Sequence, residues 1–218
     1  MNIPFLDKVY ILHHRAFKAR LRLLARRLAD EGVTDFEVVD MYPPVGIDYE
    51  KCVEGWEAFE DIDIIHPYGA YRNSPKKISR GSLSLVLKHL YCYRDQIKNN
   101  YSNILILEDD CLIPHHFADY ITANMLEFNR LLNTEGTEML MMGTSHDYVS
   151  KKKNGKCVQY DFNQKCRCTH AYVVNIGVTP TLLDDFKPIN LPIDFKLNEI
   201  MQLNDIKVAW SEPGLKQK

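Results

Sequence analysis

Three consecutive acids, Glu108-Asp109-Asp110, follow the apolar run Asn103 to Leu107. Carboxylates packed this closely repel one another, and a hard divalent cation relieves the repulsion. Mg2+ or Mn2+ takes one or two carboxylates and completes its shell with phosphate oxygens and water. At such a site it acts as a Lewis acid on a diphosphate leaving group. Asp110 is the first choice for direct ligation, with Glu108 as the second acid of a D-x-D-like pair. The alternative is a strand-to-helix turn in which Asp109 or Asp110 caps the helix near Pro114.

Other residues with chemical potential are more dispersed. Arg15, Lys18, Arg20, Arg22, Arg26 and Arg27 form a basic stretch, which suits a phosphate-bearing ligand, an anionic surface or a plain solvated helix face. Cys157, Cys166, Cys168 and His170 stand at spacings irregular for structural zinc, so reduced, half-buried thiols are expected. His115 and His116 are expected in the first turn of a helix, facing solvent.

The elements that must position these groups alternate between strand and helix. "KVYIL" (8–12) reads as a short buried strand, and Phe17, Leu21, Leu24, Ala25 and Leu28 recur at helical spacing up to Gly32. "FEVVD" (36–40) is a second strand ending in an acid. Residues 41–77 show no period and read as an irregular loop region carrying one short helix. Ser79 starts an amphipathic helix that Asn99-Asn100 ends. "NILIL" (103–107) is a near-continuous apolar run, as in a strand buried on both faces. Then come a helix over 114–132, a strand over 138–142, an Asn-Gly hairpin tip at 151–155 and a strand over 170–174. Helices over 177–186 and from 191 to about 203, and a strand over 207–210, complete the pattern. Such alternation predicts a single α/β domain, residues 1–218, with a mostly parallel central sheet. Ligands of open α/β sheets bind beyond the carboxyl ends of the strands, where the acidic triplet falls.

The bulk numbers exclude some classes. The 218 residues are 45% hydrophobic and carry a formal charge of -2, which argues against nonspecific nucleic-acid binding. No stretch approaches the roughly 18–20 apolar residues of a membrane span. Residues 1–6 are too short for a signal peptide, so a cytoplasmic chain is expected, with a peripheral contact at the membrane face among its partners. Its six cysteines lack framework spacing and are expected to be reduced.

Three segments, in order, resemble glycosyltransferase family 25, the group of bacterial lipooligosaccharide transferases and collagen galactosyltransferases. "KVYILHHRAFKARLRLLARRL" (8–28) is similar to the family's opening strand, Arg-containing turn and basic helix. "ISRGSLSLVLKHLYCYRD" (78–95) is similar to the block ending in a Ser-His pair, and "ILILEDDCLIP" (104–114) to the Leu-Glu-Asp-Asp metal motif. "THAYVVNIGVTPTLLDD" (169–185) and "LPIDFKL" (191–197) match more weakly. Against the family pattern, Ser82 stands where an acid is usual, Lys88 stands in place of the Ser before His89, and the opening turn reads His13-His14-Arg15.

The resemblance implies a GT-A-type nucleotide-sugar-binding domain. The implied reaction moves a hexose, most often galactose, from a UDP-sugar to a hydroxyl of a glycan or hydroxylated protein, with inversion. It makes Arg15 and Arg20 candidates for the donor phosphates, since a guanidinium fits a diphosphate in bidentate fashion. Asp40 is placed to accept hydrogen bonds from ribose or base, and Asp109 holds the turn or contacts the donor sugar. His89, by itself a core histidine, becomes a donor-site candidate with Lys88 as its phosphate partner. Inversion needs a carboxylate base for the acceptor hydroxyl. Asp194 is the first candidate, with a helix N-cap as its bland reading, and Asp147 is the second. No histidine follows His170, so a late-histidine metal ligand is not identified. The rival readings are a catalytically silent glycosyltransferase-fold binding protein and a metal-dependent phosphohydrolase or nucleotidyltransferase.

Overall fold

The computed structural model describes residues 3–47, 78–143, 158–159 and 168–217. The irregular region beyond residue 47, the hairpin tip, Asp147, Cys157 and Cys166 lie outside the described residues.

Eight strands form the sheet: β1 (Lys8–Leu12), β2 (Glu37–Val39), β3 (Asn103–Glu108), β4 (Cys111–Leu112), β5 (Met139–Gly143), β6 (Val158–Gln159), β7 (Ala171–Asn175) and β8 (Val208–Gln217). Their spatial order is β2-β1-β3-β7-β5-β8-β4, with β6 against β8. The helices are α1 (Lys18–Asp30), α2 (Arg80–Asn99), α3 (Phe117–Glu135), α4 (Thr179–Asp185) and α5 (Ile193–Leu203). A 3-10 turn, Arg15–Phe17, joins β1 to α1.

Side-chain alternation along β3 explains the layers. Ile104 and Ile106 enter one core with Tyr10, Leu12, Tyr172 and the apolar faces of α2, α4 and α5. Leu105 and Leu107 enter the opposite core with Val9, Ile11, Val173 and the buried residues of α1 and α3. A strand covered on both faces has no polar side to show, which is why it reads as a continuous apolar run. Ser79 caps α2 by accepting the Ser82 N–H at 3.0 Å, a contact worth about 1 kcal/mol. Asn100 ends that helix in the left-handed conformation.

The sheet is mixed, which corrects the mostly parallel expectation. Pairs β1–β2, β1–β3 and β5–β8 are parallel, whereas β3–β7, β5–β7, β4–β8 and β6–β8 are antiparallel. One strand is responsible for the main break: β7 runs against both of its neighbours and separates β3 from β5. A helix-strand pattern reads every link as a right-handed crossover, but no described helix lies between β5 and β7, and a pair without a crossover helix is free to run antiparallel. β8 also exceeds its expected four residues. Its register shifts between the Met141–Trp210 and Gly143–Leu215 pairs, and its far end returns to pair with β4 beside the acidic turn.

Candidate active site

The site gathers at the carboxyl ends of β1, β2 and β3, where parallel pairing brings Leu12 opposite Glu108 and Val39. The acids leave β3 in different directions. Glu108 ends the strand on the side of α2, α4 and α5 and accepts a hydrogen bond from Thr169 Oγ1 at 3.2 Å. Burial, and then the charge of Asp110, push its pKa up to about 7; Asp194 and Asp109 add to the rise and the Thr169 bond opposes it. Among the described residues Glu108 forms no ion pair.

Asp109 turns into the protein. It is 8% exposed; its Oδ2 accepts from His13 Nδ1 at 2.7 Å and from the His14 N–H at 3.3 Å. Its own N–H donates to the Leu12 carbonyl at 3.1 Å. Asp110 is held from both sides, by Arg20 Nη1 at 3.1 Å and by Gln217 Nε2 at 3.1 Å. Neither aspartate caps a helix: α3 starts at Phe117, and its N-cap, His116, is left-handed with no side-chain cap bond. The capping alternative for the acidic triplet therefore falls.

Asp194 lies in the first turn of α5, two residues past its N-cap Pro192, so it is not the N-cap. Its oxygens accept the N–H groups of Cys168 (3.3 Å) and Phe195 (3.0 Å). It stands near enough to Glu108 to raise that carboxyl, so acids far apart in sequence share one region.

Two candidates at adjacent strand ends meet each other. Arg15 Nε and Nη2 donate to Asp40 at 2.9 and 3.2 Å, which holds the aspartate below the usual carboxylate range. The pair is exposed, so it is weak and open to exchange with a ligand. Arg20 stacks its guanidinium 4.5 Å from the Phe17 ring centroid while reaching the acids.

Burial places two of the candidates inside the protein. His89 is fully buried, with Nδ1 2.6 Å from the Tyr172 hydroxyl, and Tyr172 in turn meets Tyr93 at 2.6 Å. This is the core placement that its apolar helix face alone predicts. Lys88 is 3% exposed and its ammonium donates to the His13 backbone carbonyl at 2.8 Å. Burial pulls its pKa down, against the raising charges of Asp109 and Asp40.

Sequence reasoning missed His13, Thr169 and Gln217. Only His13 carried a signal, since it directly follows a strand whose neighbours bear acids. Gln217 reaches Asp110 through the unforeseen length of β8. The three free cysteines described are Cys92, Cys111 and Cys168. Among the described residues no cluster of three or more His, Cys, Asp and Glu side chains forms a ready metal cage. No described helix is long and apolar enough to cross a membrane.

A family model described as glycosyltransferase family 25 (LPS biosynthesis protein) matches residues 18–197, most of the chain. That span runs from the first residue of α1 through the acidic turn to Asp194. No curated protein matches the chain.

Proposed function

Because the chain belongs to glycosyltransferase family 25 and is thereby a glycosyltransferase, we propose that it transfers a hexose, most often galactose in this family, from a UDP-sugar to an acceptor hydroxyl. The acceptor is a glycan of a lipopolysaccharide-type polymer, the role named in the family's description, or a hydroxylated protein. The observation that carries the reading is the company of Glu108, Asp110 and Asp194. These are three carboxylates near the carboxyl end of β3; burial first, and then the charges of the other two, raise Glu108.

Such a set fits a divalent ion. Among the described residues Glu108 has a neutral hydroxyl as partner and no ion pair; burial first, and then the charges of Asp110, Asp194 and Asp109, raise its pKa. Mn2+ or Mg2+ on Glu108 and Asp110, its shell completed by diphosphate oxygens and water, would supply Lewis-acid stabilisation of the departing UDP.

The chain's own groups divide the remaining work in this proposal. Arg20 exchanges its hold on Asp110 for the donor phosphates, and Arg15 adds a second guanidinium at the next strand end. Asp40, released by Arg15, accepts from the ribose or base. Asp194 takes the proton of the acceptor hydroxyl as it attacks in line, which inverts the anomeric centre. The domain serves as a GT-A-type scaffold in this reading.

Calorimetric titration of UDP into the protein, first with Mn2+ and then with EDTA, is the test. Binding that requires the metal supports the donor site. Equal binding in both conditions removes the metal from the proposal, and no binding in either removes UDP.

A further inference from the structure

We infer that His13 and Lys88 are positioning residues that commit Asp109 to anchoring the acidic turn, leaving Glu108 and Asp110 as its ligand-facing carboxylates. The anchoring is a matter of geometry alone; that the turn presents metal and donor ligands rests on the transferase reading.

His13 and Asp109 stand 96 positions apart in sequence, yet meet at 2.7 Å with 4% and 8% of their surfaces exposed. A carboxylate only accepts, so Nδ1 of His13 carries the hydrogen. Two backbone bonds run alongside, from the His14 N–H to Asp109 and from the Asp109 N–H to Leu12. The corner after β1 and the turn after β3 are thus stitched by three contacts within three residues of each strand.

Lys88 reaches the same corner from α2, donating to the His13 carbonyl. A buried ammonium and a buried carboxylate therefore lie on either side of one residue. Each is costly to bury by itself, and the set is tolerable only in a fixed arrangement. The contacts fix the middle acid, and with it the directions of its neighbours: Glu108 toward Thr169 and Asp194, and Asp110 toward Arg20 and Gln217. A tandem of acids that could all swing would blur the metal geometry by more than a catalytic site tolerates.

The competing explanation is that His13 merely fills space. Two substitutions separate bond from bulk. His13→Asn keeps an N–H close to the position of Nδ1 but shrinks the side chain, whereas His13→Leu keeps bulk and removes the donor. Native-state amide hydrogen exchange of residues 108–111 reads the anchor without any ligand, and UDP titration with Mn2+ reads its consequence.

His13→Leu is expected to speed exchange at these amides by about 10-fold or more, with Asn within about threefold of wild type. UDP affinity with Mn2+ should follow the same order. Unchanged exchange in His13→Leu, or equal loosening by Leu and Asn, overturns the inference. Lys88→Met should loosen the same amides, and it serves as the decisive variant if His13→Leu does not fold; unaltered exchange there overturns the inference equally. If the wild-type chain ignores UDP and Mn2+, the transferase reading of the site fails while the exchange result still decides the anchor.

Discussion

Arg20 and Asp110 form an ion pair at the mouth of the acidic turn, with Nη1 3.1 Å from Oδ2. The guanidinium also lies 3.6 Å from Asp109, and Arg20 is 40% exposed at its side chain. An arginine in this place offsets the charge of both aspartates. Under the proposed function, a metal ion and Arg20 would compete for one oxygen, and a diphosphate would resolve the competition by taking both.

Two substitutions at that pairing should differ in their effect on the metal. Asp110→Ala should abolish metal-linked UDP binding with the fold intact by circular dichroism. Arg20→Ala should weaken UDP binding in the presence of Mn2+ by about 10-fold, the loss of a charge-assisted bond, without weakening Mn2+ binding measured alone. Calorimetry of each variant checks both, and weaker Mn2+ binding in Arg20→Ala would mean the arginine supports the metal instead of competing with it.

Asp194→Asn keeps size and one acceptor oxygen but removes the basic carboxylate. Donor binding should survive, and sugar transfer should fall by about 100-fold or more. Turnover with an acceptor, set beside UDP affinity, makes the measurement. Transfer at the wild-type rate would send the base assignment elsewhere, with Asp147 next in line.

His89 predicts an acid-sensitive fold. Burial, then the charge of Lys88, pull its pKa down to about 3 in the folded chain, against about 6.5 when unfolded. Between these values only the unfolded chain takes the proton. The stability gained by keeping His89 neutral is complete above about pH 6.5 and drains away as pH falls toward 3, by up to about 1.4 kcal/mol per pH unit. His89→Gln should be less stable at neutral pH yet lose less on going from pH 7 to pH 5. Melting temperatures across that range test it, and parallel curves would show that the histidine does not set the acid slope.

Gly143 has no room for a side chain. A Cβ there would collide with the His170 imidazole, whose Nε2 donates to the Leu215 carbonyl at 2.9 Å. His170 is fully buried, so the ring cannot step aside. Gly143→Ala should cost about 1–3 kcal/mol as an overpacking change. Urea unfolding reads the cost, and a neutral result would mean that β8 yields easily at its register shift.

Much of the fold was legible because it rests on local periodicity. The apolar run of β3, the 3.6-residue spacing of α1 and α2, and the Ser79 cap all follow from residues within one element. The reversal of β7 was not legible, since strand direction depends on a connection and leaves no trace in a five-residue apolar segment. Burial, too, escaped the sequence at Lys88, where a charged side chain signals solvent unless a partner carbonyl waits inside.

The sequence by itself determined that three acids stand at the end of a buried strand, because side-chain alternation and apolar content are properties of the chain alone. Only the tertiary structure decided which acid faces what. Asp109 goes to His13, Asp110 to Arg20 and Gln217, and Glu108 to Thr169 near Asp194. Those partners lie 61 to 107 positions away. Only sheet pairing and helix packing bring such distant residues within the roughly 2.7–3.2 Å of a hydrogen bond.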